Sequence, residues 1–376
     1  MNKNSLTVLF AAGGTGGHLY PAIAIAEEIK RQEPNARIAF AGTKDKIEAR
    51  IVPQKGFEFY SIWISGFSRR AKLSNLLFPL KVIVSLVQSF FLIKKLTPAV
   101  VVGTGGYVCG PILYVASLLG IPTVVHESNS YPGITTRMIA SRATKVFITF
   151  ETTKRWLSTK ASIELVGNPT RAELSTITRE QGAKYFDLDP ARRTVFAFGG
   201  SLGAASINSA MPCVIEDAVR SGYQVIWQTG ESNAAALPQF QQHESITMRP
   251  YLENIEYAYA AADIVVSRAG ATTLAELTRL GKPAILVPYP YAAANHQELN
   301  AQTMVEAGAA FMIRDKVLKE QLLKKIRDLL FNEQLRFEMG DRSMMLGKPN
   351  AGKEIAGKIL KNVVVRSGAV KQSPVS

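Results

Sequence analysis

An apolar run that ends in a glycine-rich segment, and does so again in the second half, constrains this chain more than any other feature. Leu6-Thr7-Val8-Leu9-Phe10 leads into Ala11-Ala12-Gly13-Gly14-Thr15-Gly16-Gly17-His18, and Pro21 to Ile29 follows with apolar residues at i, i+3 and i+4. That order predicts strand, turn and helix, and glycines there let main-chain N–H groups approach an anion at the positive end of the helix. Thr194 to Phe198 leads likewise into Gly199-Gly200-Ser201-Leu202-Gly203-Ala204, so Gly13, Gly14, Thr15 and Gly17 map onto Gly199, Gly200, Ser201 and Gly203. One phosphate-type loop per half predicts an α/β chain of two nucleotide-fold domains facing a shared cleft. Its 376 residues suffice for two cores of about 150–200 residues each.

Apolar runs alternate with helical patterns throughout, as in parallel α/β folding. Strands are expected near 6–11, 37–41, 99–103, 122–126 and 145–149, then near 194–198, 223–228, 263–267 and 284–288. The expected division is a first domain over 1–168, a connector over 169–192 and a second domain over 193–345. A terminal helix over 346–365 would pack back on the first domain, leaving a flexible tail over 366–376. Hydrophobic content of 47% and charged content of 20% are those of a globular protein, whereas a net charge of +14 favours nucleic acid, acidic lipid or phosphorylated substrates. Cys109 and Cys213 lie in different halves and suggest neither a disulfide framework nor a cysteine metal site. Met1 to Ser5 runs straight into a strand, which leaves no room for a signal peptide and points to a cytoplasmic address.

Residues 69–96 stand apart. Arg69, Arg70 and Lys72 precede Leu76-Leu77-Phe78-Pro79-Leu80, and a further apolar stretch containing Phe90 and Phe91 ends in Lys94-Lys95. Lys81, Ser85 and Gln88 interrupt it too often for a span, which takes roughly 20 apolar residues. Two readings are expected to hold together, with one face inward and one toward lipid, and the first is a buried helix. The other is a monotopic patch in which Leu76, Leu77, Phe78, Leu80, Phe90 and Phe91 meet lipid while Lys94 and Lys95 meet acidic headgroups.

The chemistry must come from the turns. The first loop fails the dinucleotide test G-x-G-x-x-G, because Gly14 and Gly16 are followed by Leu19, and the second strand ends in Ala41-Gly42-Thr43 with no acid for a ribose. Gly347 to Lys353 mimics a phosphate loop but lacks the closing Ser/Thr and follows no strand. Gly103-Thr104-Gly105-Gly106-Tyr107 again follows a strand and is either a tight turn before a helix or a second clamp on the same diphosphate. His126-Glu127-Ser128-Asn129 closes another strand; Asn129 either orients a sugar hydroxyl or caps the helix beginning near Gly133. Ser267-Arg268-Ala269-Gly270-Ala271-Thr272 opens a helix whose N-terminus can oppose charge on a leaving diphosphate. Glu276 on that helix is either a ribose ligand or a solvated acid of the helix start, and the amides of Asn295-His296-Gln297 suit hydroxyl-rich ligands.

Taken in order, GGTGGHLYPA, GTGGYVCGP, HESN, VGNPTR, GGSLGA, SRAGATTLAEL and NHQELNA closely resemble the MurG family of inverting glycosyltransferases, from about Leu6 to about Phe311. The resemblance implies a GT-B fold of two Rossmann-like domains and transfer of N-acetylglucosamine from UDP-GlcNAc to lipid I, giving lipid II for peptidoglycan. It implies no cofactor and no protein-bound metal. Gly13, Gly14, Thr15, Gly16 and Gly17, with Gly103, Thr104, Gly105, Gly106 and Tyr107, would receive the lipid diphosphate. On the donor side Asn129 would touch the sugar and Arg171 and Ser201 the diphosphate, while Thr15, Gly16, Gly17, Ala269, Gly270 and Thr272 would also contact UDP-GlcNAc. The main chain at Leu252 would read uracil, Glu276 the ribose, and His296 and Gln297 the GlcNAc hydroxyls. Leu202, Ser128 and Cys109 depart from the family's common Gln, Gln and Ser.

In that reading the acceptor 4-hydroxyl attacks the anomeric carbon while UDP leaves from the opposite face. His18, directly or through a water, takes the proton, unless it merely satisfies a helix start. Domain closure would exclude water. The expected partners are UDP-GlcNAc, lipid I, an anionic inner-leaflet surface at which the protein is peripheral, and other cell-wall synthesis proteins, with no nucleic acid. The rivals are transfer to a diacylglycerol, a UDP-GlcNAc epimerase and a basic nucleotide- or RNA-binding module.

Overall fold

The computed structural model describes residues 6–66, 77–200, 203–230 and 243–370. They form two compact units, one from the N-terminus to Thr170 plus the segment from Pro349 onward, the other Arg171–Lys348. The first unit runs β1 (Thr7–Ala12), α1 (Gly16–Gln32), β2 (Arg37–Gly42), α2 (Ile47–Gln54), β3 (Glu58–Ser61), α3 (Phe78–Leu96), β4 (Val100–Gly105), α4 (Cys109–Leu118), β5 (Thr123–Glu127), α5 (Ile134–Ile139), β6 (Lys145–Ile148) and β7 (Ile163–Leu165). Its sheet has the order β3-β2-β1-β4-β5-β6-β7 and every pairing is parallel. Side chains alternate between two cores, Leu9, Ala11 and Val101 on one face and Val8, Phe10, Val100 and Val102 on the other. A parallel sheet covered on both faces explains why these strands read as unbroken apolar runs.

The second unit runs α6 (Arg179–Tyr185), β8 (Thr194–Phe198), α7 (Ala205–Ser221), β9 (Gln224–Gln228), β10 (Ile246–Arg249), α8 (Ile255–Ala261), β11 (Ile264–Ser267), α9 (Ala271–Leu280), β12 (Ala284–Leu286), α10 (His296–Glu306), β13 (Ala310–Met312), α11 (Leu318–Leu330) and α12 (Glu333–Leu346). Its parallel sheet has the order β10-β9-β8-β11-β12-β13. In both sheets the order reverses beside the first strand, between β1 and β4 and between β8 and β11. Open α/β sheets bind ligands at the carboxyl ends of such a pair. All four candidate turns fall there: Gly13–Gly17 after β1, Gly103–Gly106 at the end of β4, Gly199–Gly200 after β8 and Ala269–Thr272 after β11.

Two expected boundaries are corrected. Residues 169–192 are not a plain connector, because Thr178 and Gln181 form a reciprocal capping box that starts α6, and Gly182 packs against the main chain of Tyr257 and Ala261 in α8. The segment from Arg171 belongs to the second unit. The tail expected from Arg366 is helical to Val370, as the last turns of α13 (Ala351–Val370); residues 371–376 lie outside the described set. Ile355, Ala356 and Ile359 of α13 enter the same core as Leu19, Ile23 and Ile29 of α1.

Candidate functional site

In the first unit the glycine turns are in contact with each other. A Cβ on Gly106 would collide with the Gly13 carbonyl, and one on Gly105 with the His18 ring. Gly14, Gly105 and Gly106 also hold positive φ, so no other residue fits without strain. His18 lies in the first turn of α1, half-buried, with Nδ1 3.3 Å from the Gly13 carbonyl oxygen and 3.4 Å from Thr15 Oγ1. A carbonyl oxygen only accepts, so the contact with Gly13 places the proton on Nδ1. Thr104 Oγ1 donates to the His18 carbonyl oxygen at 2.8 Å and ties the second turn to the first helix. Tyr107 is exposed beside Gly66. Cys109 is a buried structural group. Its Sγ donates toward the carbonyls of Ala11 at 2.9 Å and Gly105 at 3.0 Å, and burial pushes the thiol up to about 12.

Glu48, unremarkable in the sequence, is fully buried beneath this loop. Its Oε2 accepts the Gly14 N–H at 3.1 Å, and its Oε1 accepts Thr43 N–H at 2.9 Å and Thr43 Oγ1–H at 2.7 Å. The Gly14 N–H is therefore engaged inside the protein. Glu127 serves the β5 end in the same way, accepting Asn129 N–H at 3.0 Å, Asn129 Nδ2–H at 3.3 Å and Gly133 N–H at 3.0 Å. The helix-capping alternative for Asn129 is thereby overturned: the cap residue is Gly133, and Glu127 accepts its N–H. His126 is buried, donates Nε2–H to the Gly167 carbonyl at 3.0 Å, and is held below its ordinary pKa by burial.

In the second unit a neutral amide does for the glycine turn what Glu48 does in the first. Gln228 Nε2 donates to the Gly200 carbonyl at 2.9 Å, and its Oε1 accepts the Leu252 N–H at 2.9 Å, so one buried side chain couples the turn after β8 to the loop before α8. Ser201 and Leu202 lie outside the described residues. A cavity of about 500 Å³ opens beside Leu252, lined also by Tyr185, Arg249, Tyr251 and Asn254. Glu276 is not the solvated helix-start acid of one reading. It is buried, accepts Tyr259 O–H at 2.9 Å, and its Oε1 lies 3.6 Å from Arg171. Burial raises its pKa while Arg171 and Tyr259 oppose the rise. Gly270 is the cap residue of α9, and the buried Thr272 Oγ1 and Ser267 Oγ beside it find no hydrogen-bond partner among the described residues.

His296 and Gln297 follow a strained turn. Ala294 and Asn295 hold left-handed φ values of 52° and 55° immediately before His296 and Gln297, at the start of α10. Gln297 Oε1 accepts the Tyr289 N–H at 3.0 Å, and the buried Asn300 donates Nδ2–H to the Ala269 carbonyl at 3.2 Å. Arg268 carries no signal of its own within Ser267-Arg268-Ala269-Gly270. It anchors the region by donating to the carbonyls of Val287 and Pro288 and to Asp315 at 2.6 Å. Among the described residues no group of three or more His, Cys, Asp or Glu side chains is placed to hold a metal ion.

The interrupted apolar segment folds as α3, and the buried-helix reading holds for one face only. Ser85 and Ser89 point inward and donate to the carbonyls of Val82 and Ser85, alongside buried Leu92, Ile93 and Leu96. Outward stand Leu77, Leu80, Ile83, Val87, Phe90 and Phe91, all exposed, with Phe78 half-buried. Lys94 lies 5.8 Å from the Phe90 ring, and Lys95 5.2 Å from that of Tyr60. Leu76, Arg69, Arg70 and Lys72 fall outside the described residues. No described helix is long and apolar enough to cross a membrane.

Residues 8–148 match the glycosyltransferase family 28 N-terminal domain and residues 194–355 its C-terminal domain. A protein of Thermoanaerobacter sp. strain X514 is 41% identical over 362 residues, 94% of this chain and 99% of its own. One of Flavobacterium psychrophilum is 38% identical over 357 residues, 94% of this chain and 97% of its own. Both are named UDP-N-acetylglucosamine–N-acetylmuramyl-(pentapeptide) pyrophosphoryl-undecaprenol N-acetylglucosamine transferase. The crystal structure of Acinetobacter baumannii MurG superimposes with a TM-score of 0.75 at 28% identity, covering 95% of this chain and all of that one. With both domains matched and relatives this similar along nearly their whole length, the chain belongs to glycosyltransferase family 28.

Proposed function

We propose that the chain transfers N-acetylglucosamine from UDP-GlcNAc to the 4-hydroxyl of the muramoyl sugar of lipid I, with inversion, and that His18 is the base. The observation that carries this is the His18 ring over Gly105, at the carboxyl ends of β1 and β4, with Nδ1 turned to the Gly13 carbonyl. Nε2 is then the nitrogen that takes the hydroxyl proton as that oxygen bonds to the anomeric carbon, and the electron pair of the breaking bond leaves with UDP. Gly13, Thr15, Gly16 and Gly17, with Gly103–Gly106 and Tyr107, hold the acceptor diphosphate. Gly14 supports it through shape rather than through its N–H, which Glu48 occupies.

For the donor, the N-terminus of α9 with Ala269, Gly270 and Thr272, together with Arg171 and Ser201, takes the charge that develops on the departing diphosphate. Glu276 receives the ribose hydroxyls, and its raised pKa reflects a carboxylate kept desolvated until a polar ligand meets it. At Leu252 the carbonyl reads uracil, since the N–H belongs to Gln228. Asn129, His296 and Gln297 orient sugar hydroxyls. The outward face of α3, with Lys94 and Lys95, rests on an anionic membrane surface, which gives the net charge of +14 a lipid rather than a nucleic-acid partner. The test is purified protein with radiolabelled UDP-GlcNAc and a short-prenyl lipid I. Parent protein gives labelled lipid II and UDP, and His18→Ala lowers turnover by about 10²–10⁴-fold while UDP affinity stays within about twofold. Unchanged turnover in His18→Ala would remove the base assignment.

A further inference from the structure

Glu48 and His18 meet at opposite ends of one peptide group. The Gly13 carbonyl and the Gly14 N–H belong to the same planar amide. Its N–H donates to Glu48 Oε2 at 3.1 Å, and its carbonyl lies 3.3 Å from His18 Nδ1. The carboxylate is fully buried, and its other donors, the N–H and hydroxyl of Thr43, are neutral. A negative charge on the N–H side polarises an amide and makes its oxygen a stronger acceptor, more so in a low-dielectric setting. A carbonyl oxygen only accepts, so the bond requires the proton on Nδ1 and the lone pair on Nε2. Charged side chains of the same segment, Lys44, Asp45, Lys46 and Arg50, are all exposed, as is Glu58 on the adjacent strand.

We propose that Glu48 is a positioning residue for the transfer reaction, acting through the Gly13–Gly14 peptide to hold His18 as its Nδ1–H tautomer. It also stabilises the imidazolium that forms when Nε2 takes the acceptor hydroxyl's proton. The acceptor O–H bond breaks to Nε2, the new C–O bond forms at the anomeric carbon, and the departing electron pair goes to UDP. The Nδ1–H bond to Gly13 becomes charge-assisted at that moment, and the carboxylate behind the peptide strengthens it. A carboxylate that orients a functional imidazole is a recurring device, and losing such a partner costs about 10–100-fold. The distinctive element here is that the orienting group works through main chain. The glycine at position 13 follows from it, because a Cβ there would collide with Glu48 Oε1.

This inference rests on the reading of His18 as base, and the experiment separates the two. Parent, Glu48→Gln, His18→Ala and the double variant are compared by kcat and by KM for UDP-GlcNAc. Glu48→Gln lowers kcat about 10–100-fold with KM within about twofold, and in the His18→Ala background it changes kcat less than about threefold. The ¹⁵N spectrum of the histidines, four in the whole chain, shows His18 as Nδ1–H in the parent and as a mixture in Glu48→Gln. Glu48→Gln sets an amide NH₂ against one buried N–H, so Thr43→Val provides a second cycle that keeps the carboxylate and removes one donor to it. Its smaller loss of kcat likewise vanishes without His18. Parental kcat in Glu48→Gln, an equal loss in both backgrounds, or an unchanged His18 tautomer overturns the role of Glu48. A His18→Ala enzyme as fast as the parent instead overturns the base.

Discussion

Replacing Phe90 and Phe91 together with Ser should detach the protein from acidic vesicles, and the size of the effect follows from α3. Phe90 is 39% and Phe91 66% exposed, together about one whole phenylalanine of apolar surface. An aromatic side chain buries about 150–250 Å², worth roughly 4–6 kcal/mol at about 25 cal/mol per Å² if all of it left water. A helix lying in the headgroup boundary immerses only one side, so about half of that, 2–3 kcal/mol, is the expected loss. The vesicle partition coefficient should therefore fall about 30–150-fold. Lys94 and Lys95 each add about 1 kcal/mol on an anionic surface, a contribution that salt screens. Flotation with phosphatidylglycerol vesicles at low and high salt separates the two parts: the Phe substitutions lower binding at both, whereas Lys94→Gln with Lys95→Gln removes only the salt-sensitive part. Neither change should unfold the protein, since Leu92, Ile93 and Leu96 hold the inward face. Partitioning of the double Phe variant within twofold of the parent would refute the reasoning.

Other expectations concern buried charge. Burial raises the Glu276 pKa above its ordinary 4.5, so the folded chain holds that proton to higher pH than the unfolded one and this group's contribution to stability falls as pH climbs through 4.5; denaturant titrations of Glu276→Gln should lack that fall. The same change should weaken UDP binding about 10-fold or more by calorimetry, because hydrogen bonds to a charged group contribute about 1.5–3 kcal/mol; unchanged affinity would disconnect Glu276 from the ribose. Lys282 donates to the Ala262 carbonyl at 2.7 Å, and burial lowers its pKa from 10.5 to about 8. The unfolded chain keeps that proton to higher pH than the folded one, so this group's contribution to stability rises as pH climbs from about 8 to 10.5. Denaturant titrations of Lys282→Met should lack that rise relative to the parent, and parallel curves would contradict it.

The central strands were legible because each is an apolar run stopped by small residues: β1, β4, β8 and β11 all fall where expected. The strands that escaped notice are β3, β7, β10 and β13, the two edges of each sheet. Edge strands are short and half-exposed, so Glu58-Phe59-Tyr60-Ser61 or Ile163-Glu164-Leu165 carries no continuous apolar signal. The glycine turns and the strand, turn and helix around Glu276 announced themselves by pattern, whereas Arg171 came only with the family resemblance. Glu48, Gln228 and Asn300 did neither, since a lone polar residue on a helix or at a strand end reads as solvated until its partner is located. That partner is often far along the chain, as Gly14 is from Glu48. For α3 the composition allowed either face to turn inward, and only the register placing Ser85 and Ser89 inside decides it.

The return of α13 to the first unit has a consequence for biosynthesis. Because Ile355, Ala356 and Ile359 complete a core begun by Val8 and Phe10, the opening lobe must wait on the ribosome, unfinished, while all of Arg171–Lys348 is translated. The inserted lobe can fold as a unit during that interval, but its neighbour cannot close until the last helix emerges. A nascent chain arrested near Lys348 should therefore carry one protease-resistant lobe rather than two.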